Sequence, residues 1–421
     1  MGVKRRKIVV LGAGYAGIRV MQDLLKKNKH SWLDFILVDR SHNHVFQGDL
    51  YEVATAFNKK ITDECLFELK DCVAIPIESL LDLKRAQFIC DEVIDINHLK
   101  KKVILKKGAD LSYDYLVVAL GSCTNYYGIR GLKEHSFPLK TAEDALAINC
   151  HLDKLFKDLW QKNDQRHIKI SVGGGGATGV ETACELTGSL KLLCKKYGHP
   201  LTKVQIQLIE GLDTLLGLDQ KGTWRVMERL KALGVKVYLE RYISKVSESE
   251  IELKLPDASK QSIYSDVLIW TGGVMVSPVV ARSLGSARFR GAIEVNPYLQ
   301  SNIDSHVFAA GDNAYFKNST AARPLPMLAQ TAVSEGKMIA ENLLYLIEGR
   351  ELKPYQAIKT RMVVPLGGKY ALFKSGDFMM FGFWAWVIKR LVYLKYALSI
   401  LSVRKAYQKW RHSNKIFIEN D

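Results

Sequence analysis

Disulfide and metal chemistry are the first things this sequence lacks the residues for. Its seven cysteines (Cys65, Cys72, Cys90, Cys123, Cys150, Cys184 and Cys194) form no Cys-x-x-Cys pair and no metal-ligand spacing. A disulfide framework and a zinc-binding module are thereby excluded, and an odd, scattered set fits free thiols in a reducing compartment. Acidic residues are also scarce, 44 Asp and Glu against 60 Lys and Arg, for a formal net charge of +16. From Phe378 to Ile418 there is no acid at all beside eight Lys or Arg. Long apolar runs are missing too. The charge-free stretch of the tail, Phe378 to Ile388, falls short of the roughly 20 residues a spanning helix needs. Crossing would bury Lys389, Arg390 and Lys395 at a cost of several kcal/mol. No short repeat or low-complexity segment occurs. No secretory leader is expected, because Met1-Gly2-Val3-Lys4-Arg5-Arg6 runs straight into the first apolar strand, and Arg6 breaks a myristoylation pattern. What remains is ordinary globular composition over 421 residues, enough for two to three domains.

Two glycine fingerprints stand out against that background. Gly12-Ala13-Gly14-Tyr15-Ala16-Gly17 follows the apolar run Ile8-Val9-Val10-Leu11, and Gly174-Gly175-Gly176-Ala177-Thr178-Gly179 follows Ile168-Lys169-Ile170-Ser171-Val172. Each reads as strand, tight turn and helix. The first glycine makes the turn, the second admits a pyrophosphate to the backbone, and the third packs helix on strand. The phosphates then meet unpaired N–H groups at the positive end of the helix dipole. Each motif leads to a second strand ending in an acid, Phe35 to Asp39 (with Arg40 next) and Val204 to Glu210. Asp39 and Glu210 stand at the spacing of a ribose-binding carboxylate, which favours NADH over NADPH at the second site. Two dinucleotides in one chain point to electron transfer.

The organisation is an α/β fold of two Rossmann-like dinucleotide-binding domains, the second inserted in the first. The expected ranges are 1–160 and 276–350 for the first domain, 161–275 for the second, and 351–421 for a C-terminal region. Tyr115 to Ser122 reads as a buried strand with a small-residue turn, Val307 to Asp312 as a strand returning to the first domain, and Pro324 to Leu344 as a proline-led loop becoming a helix. In the tail, Ile400, Val403, Tyr407 and Trp410 fall on one helical face, with Arg404, Lys405, Gln408 and Lys409 largely off it. That is the pattern of an amphipathic helix lying in an anionic membrane surface, lysines toward the lipid headgroups. The apolar content argues against nucleic acid as the partner. A soluble helical hairpin packed on the body or on a second subunit is the alternative. If the tail only anchors, removing it after Lys374 leaves turnover with soluble acceptors intact.

Several segments together resemble the two-dinucleotide-binding flavoproteins and, within them, the type II NADH:quinone oxidoreductases. They are Gly12 to Gly17, Leu50-Tyr51-Glu52-Val53-Ala54, Tyr113 to Ser122, Phe137 to Thr141, Gly174 to Glu181, Trp270-Thr271-Gly272-Gly273, Gly311-Asp312-Asn313-Ala314 and Ala329-Gln330-Thr331-Ala332. The resemblance implies FAD in the first domain, held by Gly12, Gly14, Ala16, Gly17, Asp39, Arg40, Ala119, Gly121, Gly311, Asp312, Ala329 and Gln330. It implies NADH in the second, held by Gly174, Gly176, Thr178, Gly179, Glu210 and Gly272. Glu181 and Gln330 are the catalytic residues it implies, Glu181 near the nicotinamide and the helix at Gln330 aimed at the flavin pyrimidine. Where the family carries a second glutamine, this sequence has Ser334, with Glu335 beside it. The implied protein is a peripheral enzyme on the cytoplasmic face of the cell membrane, a homodimer, reducing a membrane quinone without pumping ions. The rivals are a sulfide:quinone oxidoreductase, which would need Cys123 and Cys184 as its sulfur carriers, and a membrane- or nucleic-acid-binding protein that keeps both nucleotides as structural or sensing ligands.

Overall fold

The computed structural model describes residues 5–59, 61–287, 291–317 and 327–418. The Pro324 end of the proline-led loop lies outside them. In chain order the helices are α1 (Tyr15–Lys27), α2 (Leu50–Thr55), α3 (Asp63–Val73), α4 (Ala142–Gln161), α5 (Ala177–Tyr197), α6 (Gln220–Ala232), α7 (Pro278–Ser283), α8 (Ala329–Ile347), α9 (Phe383–Ile400) and α10 (Val403–Phe417). The chain divides into two compact units.

The first unit comprises Met1–Val45, Ile75–Cys123 and Val274–Thr360. Its sheet holds five parallel strands in the order Val307–Ala309, Tyr115–Val118, Arg6–Leu11, Leu33–Asp39 and Ala86–Cys90. Ile8, Val9, Val10 and Leu11 are wholly buried, as expected for a parallel strand covered on both faces. The sheet order reverses at Arg6–Leu11, so the turn beginning at Gly12 sits at the topological switch point, where open α/β sheets bind their ligands. Helix α1 buries Ile18, Met21, Leu24 and Leu25 on one stripe. It crosses α8 closely: a Cβ at Gly336 would stand 2.7 Å from the Ala16 carbonyl oxygen.

The second unit comprises Phe46–Ala74, Thr124–Gly273 and Arg361–Asp421. It repeats the plan with Phe137–Pro138, Val267–Trp270, Ile168–Gly173, Val204–Ile209 and Val235–Tyr238, all parallel, and the order reverses at Ile168–Gly173. An antiparallel sheet of Arg361–Pro365, Ala371–Ser375 and Phe378–Gly382 leads into α9 and α10.

These borders differ from the expected ranges. Residues 46–74 and 124–160 group with the second sheet because α2 packs on both α4 and α5. Asn149 of α4 ties that packing together, donating its amide to the carbonyls of Val53 (3.1 Å) and Ala56 (2.7 Å) at the end of α2. The C-terminal region is built in as well, with the strand Arg361–Pro365 against α5 and α9 against Ala371–Ser375. No described helix is long and apolar enough to cross a membrane. The expected tail stripe is broken: α9 ends at Ile400, and Leu401 and Ser402 are extended before α10 begins.

Candidate functional site

The two glycine turns have the same construction. Gly12 and Gly174 adopt φ of +95° and +108°, and a Cβ there would lie 2.2 Å from the Ala119 oxygen or 2.7 Å from the Gly272 Cα. Only glycine fits. At Gly17 and Gly179 a Cβ would be 1.8 Å from the carbonyl oxygen of the turn's first glycine, so the helix sits directly on its own turn. Gly14 and Gly176 are the opposite case, exposed, with no atom within 4 Å of where a Cβ would be. Each caps its helix without a side-chain bond, and neither α1 nor α5 has an acid in its first turn. The uncapped starts of both helices therefore open beside an exposed glycine, the arrangement an anionic pyrophosphate requires. Thr178 is exposed on the first turn of α5, whereas Ala16 is buried in α1.

The strand-end acids repeat the duplication. Asp39 accepts the amides of Ala13 (2.6 Å) and Ser41 (2.8 Å). Glu210 accepts those of Gly175 and of Leu212 (2.8 Å). Each acid thus grips the middle of its glycine turn and its own following loop, which fixes the carboxylate while leaving lone pairs for further donors. Burial raises the Asp39 pKa, against the lowering by the Ala13 and Ser41 amides. Arg40 is exposed beside it.

Also in the first unit, Gly311, Asp312 and Asn313 form a tight turn after the strand Val307–Ala309. The Asn313 side chain clamps Gly121, accepting its N–H at 3.0 Å and donating to its carbonyl at 2.8 Å, and Ser122 donates to Asp312. Helix α8 starts at Ala329 with no side-chain cap and no acid in its first turn, and Gln330 is half-buried there. Glu335, 2% exposed, accepts the Gly311 amide at 2.6 Å. Burial, with the Asp312 charge adding to it, pushes its carboxyl up to about 8 against that hydrogen bond. Asn313 and Glu335 were in the sequence without a role; an acid at an apolar helix position was the available signal.

In the second unit, Glu181 of α5 is 7% exposed and lies in a buried cluster of charges. Lys389 of α9 reaches it at 3.7 Å, reaches Asp49 at 3.2 Å, and donates to the Gly48 carbonyl at 2.9 Å. Arg390 pairs with Glu52 at 2.8 Å, and the Tyr51 hydroxyl donates to the same carboxylate at 3.1 Å. Three acids face two cations, so full ionisation would leave one uncompensated negative charge. Burial accordingly pushes the Glu181 carboxyl up to about 8; Lys389 opposes this, while Asp49 and Glu52 add to it. Three of the tail's cations have partners inside the protein. Lys389 and Arg390 point into the protein, and Lys409 bonds Asp71 (3.0 Å) and the Ala74 carbonyl (2.6 Å). A cation inside an apolar helix needs an internal partner as much as a headgroup. Removing the tail after Lys374 would therefore strip Glu181, Asp49 and Glu52 of their counter-charges.

Comparison with known proteins gives this construction a family. The model of pyridine nucleotide-disulphide oxidoreductases matches residues 6–336, well over half of the chain. The chain belongs to that family. A type II NADH:quinone oxidoreductase of Staphylococcus aureus is 29% identical over 385 residues, covering 91% of each chain. Among solved structures, NDH2 from Plasmodium falciparum in complex with NADH superposes with a TM-score of 0.84 at 16% identity, over 99% of this chain and 98% of that one. The sulfide:quinone oxidoreductase of Aquifex aeolicus gives 0.75 at 19% identity, over 95% and 92%. At such identities the two superpositions speak for the fold.

Within this pyridine nucleotide-disulphide oxidoreductase all seven cysteines are free thiols. Cys184, which the sulfide reading needs as a nucleophile, is wholly buried in α5, and burial, helped by the Glu185 charge, raises its thiol pKa. A thiol held protonated is a poor sulfur carrier.

Proposed function

We propose that this protein is a type II NADH:quinone oxidoreductase, taking two electrons from NADH and delivering them to a membrane quinone without moving ions. The duplicated glycine turn, each copy gripped by a strand-end acid in the same hydrogen-bond pattern, is the observation that carries the reading. FAD fits the first unit: Gly14 leaves its approach open, Gly12 and Gly17 set the turn, and Ala16 packs behind it. Asp39, with Arg40 beside it, would hold the adenosine ribose. Asp312 and Gly311, braced by the Asn313 clamp on Gly121 near Ala119, would hold the ribityl chain. The uncapped start of α8 at Ala329 and Gln330 would present its dipole to the flavin pyrimidine. When bound, FAD supplies the two-electron relay between a hydride donor and a quinone.

NADH fits the second unit in the same way. Gly174 and Gly179 shape the turn beside Gly272, while Gly176 and Thr178 leave the α5 amides open to the pyrophosphate. Glu210 accepts from a ribose 2′-hydroxyl and repels a 2′-phosphate, which sets the preference against NADPH. Glu181 holds a proton near neutrality, close to where its cluster meets Lys389, and a carboxyl with that pKa is suited to give a proton to a quinone on its way to quinol.

A membrane surface suits the face of the second unit built from α9 and α10. Trp384 is 69% exposed and Val403 74%, with Phe378, Phe383 and Tyr407 also exposed. Around them lie the exposed cations Lys395, Arg404, Lys405, Arg411 and Lys415, each worth about 1 kcal/mol at an anionic surface. Apolar side chains between the cations favour lipid over nucleic acid as the partner. The reading places the enzyme on the cytoplasmic face of the membrane as a homodimer, which sedimentation in detergent tests against a monomer. Its test is turnover in liposomes. NADH-dependent reduction of an embedded quinone supports it, and quinone reduction driven by sulfide without NADH overturns it in favour of the rival chemistry.

A further inference from the structure

In the first unit, Ala13 is held on both sides from one loop. Its N–H goes to Asp39, and its carbonyl oxygen lies 2.8 Å from Nδ1 of His44. A carbonyl only accepts, so Nδ1 carries a proton and donates it. His44 is 1% exposed. Burial lowers its pKa to about 4, against the Ala13 bond, so the ring is neutral with its one proton on the Ala13 side. The Tyr15 ring stands edge-on to the imidazole, 5.5 Å away between centroids. The loop between the two grips is knitted to itself: Asp39 accepts the Ser41 amide at 2.8 Å, and the Ser41 hydroxyl oxygen accepts the Asn43 amide at 3.0 Å. The second unit grips the equivalent carbonyl without a side chain. Glu210 takes the Gly175 N–H, and the Leu216 N–H donates to the Gly175 carbonyl at 2.9 Å. Leu216 does so at φ +58°, where residues other than glycine are uncommon. Both turns thus hold the same carbonyl, by unrelated groups.

We propose that His44 is a positioning residue for FAD: its Nδ1–H holds the Ala13 carbonyl and so aims the Gly14 amide at the pyrophosphate. The inference rests on FAD occupying the first glycine turn. A trans peptide is planar, so the carbonyl of one residue and the N–H of the next point in opposite directions. With the Ala13 oxygen on His44, the Gly14 N–H points away from the ring. Gly14 itself is exposed, with nothing within 4 Å of where a Cβ would stand. The same glycine makes the clamp necessary. A residue without Cβ takes positive φ about as readily as negative, so the Ala13–Gly14 peptide can flip at little cost once its carbonyl is released. A flipped peptide turns its oxygen toward the phosphates in place of the N–H. The second turn meets the same requirement through the Leu216 amide, which has no side chain to lose.

The test compares three substitutions in the full-length, FAD-loaded protein. His44→Asn places an amide N–H where Nδ1 stands, His44→Gln carries it one bond too far, and His44→Leu removes it. The main readout is the rate of FAD release on dilution, followed by the fluorescence of the freed flavin. His44→Leu and His44→Gln should release FAD at least about tenfold faster, as expected when a buried carbonyl loses its partner, while His44→Asn stays within about threefold of wild type. The phosphorus resonances of the bound pyrophosphate should move in the first two variants and keep their place in His44→Asn. The Kd for NAD⁺, which binds without reducing the flavin, should change by less than about twofold in all three, because the second turn shares no partner with His44. If His44→Leu does not fold, the contrast between Asn and Gln decides alone. Release at the wild-type rate from the Leu and Gln variants overturns the proposal. So does release from His44→Asn as fast as from His44→Gln, which would make ring packing against Tyr15 the role of His44. Equal weakening of FAD and NAD⁺ would mean a general loss of structure and overturns it too. A wild-type chain that holds no FAD would instead sink the occupancy of the first turn, and the proposal with it.

Discussion

Gly176 and Gly179 are three residues apart, yet the structure assigns them opposite sensitivities to the same added methyl group. At Gly176 the backbone is extended (φ −72°, ψ −177°), which alanine adopts freely, and a Cβ meets nothing within 4 Å. Gly176→Ala should therefore fold, losing no more than about 1 kcal/mol from the weaker N-cap. On the proposed reading, the methyl group stands on the open face by which a pyrophosphate approaches the amides of α5. Loss of one charge-assisted hydrogen bond, about 1.5–3 kcal/mol, raises the NADH Kd by roughly ten- to a hundredfold. At Gly179 the Cβ would lie 1.8 Å from the Gly174 oxygen and 2.7 Å from the Thr271 hydroxyl. Relief means moving helix from turn, an overpacking cost of about 1–3 kcal/mol or more that the roughly 1 kcal/mol helix gain of alanine only partly offsets. Thermal unfolding without nucleotide, followed by calorimetric titration with NADH, separates the two effects. Gly176→Ala should keep its midpoint and lose affinity, and Gly179→Ala should lose midpoint first. Wild-type NADH affinity in Gly176→Ala would refute the reasoning, since the open face would then not be the phosphate approach.

Glu335→Gln keeps an acceptor for the Gly311 amide and removes the titration. The wild-type carboxyl is raised from 4.5 to about 8, so the stability it contributes is whole below about pH 4.5 and is lost as pH climbs to about 8. Relative to the Gln variant, wild type should lose about 1.4 kcal/mol per pH unit in that window. Unfolding midpoints that stay parallel from pH 5.5 to 7 would show that no buried proton is held there. Glu210→Ala removes the brace on Gly175 and the proposed ribose acceptor together, so NADH should bind about tenfold more weakly with a narrower preference over NADPH; undiminished selectivity in competition kinetics counts against the assignment. Replacing Trp384, Val403 and Tyr407 together by serine should release the protein from anionic liposomes in flotation while leaving turnover of soluble acceptors in place. Persistent flotation would mean that another face binds lipid.

The glycine turns and their acids were legible because local geometry dictates them. A positive φ at Gly12 and Gly174, and a backbone oxygen 1.8 Å from any Cβ at Gly17 and Gly179, leave one residue type possible, and such positions announce themselves in a sequence. The strand content around them was equally plain, since a parallel strand covered on both faces reads as a continuous apolar run. What escaped depends on contacts far apart in the chain. Nothing local tells that Asn149 will bond the end of α2, or that residues 46–74 join the second unit. Lys389 and Arg390 show the limit most clearly. A pair of cations in an apolar, acid-free helix fits lipid headgroups and fits internal carboxylates equally well, and the carboxylates of Asp49, Glu52 and Glu181 lie some 200 to 340 positions away. Glu335 was hidden for a similar reason, its partner being the Gly311 amide on another element.

The central claim is that electrons pass from NADH through a bound flavin to a quinone. Anaerobic rapid mixing of the purified, lipid-supplemented protein tests it in two steps, following flavin absorbance. The account predicts that stoichiometric NADH bleaches the flavin band and that a quinone added next restores it. A band that NADH leaves untouched, or one that bleaches and stays bleached in the presence of quinone, would contradict it.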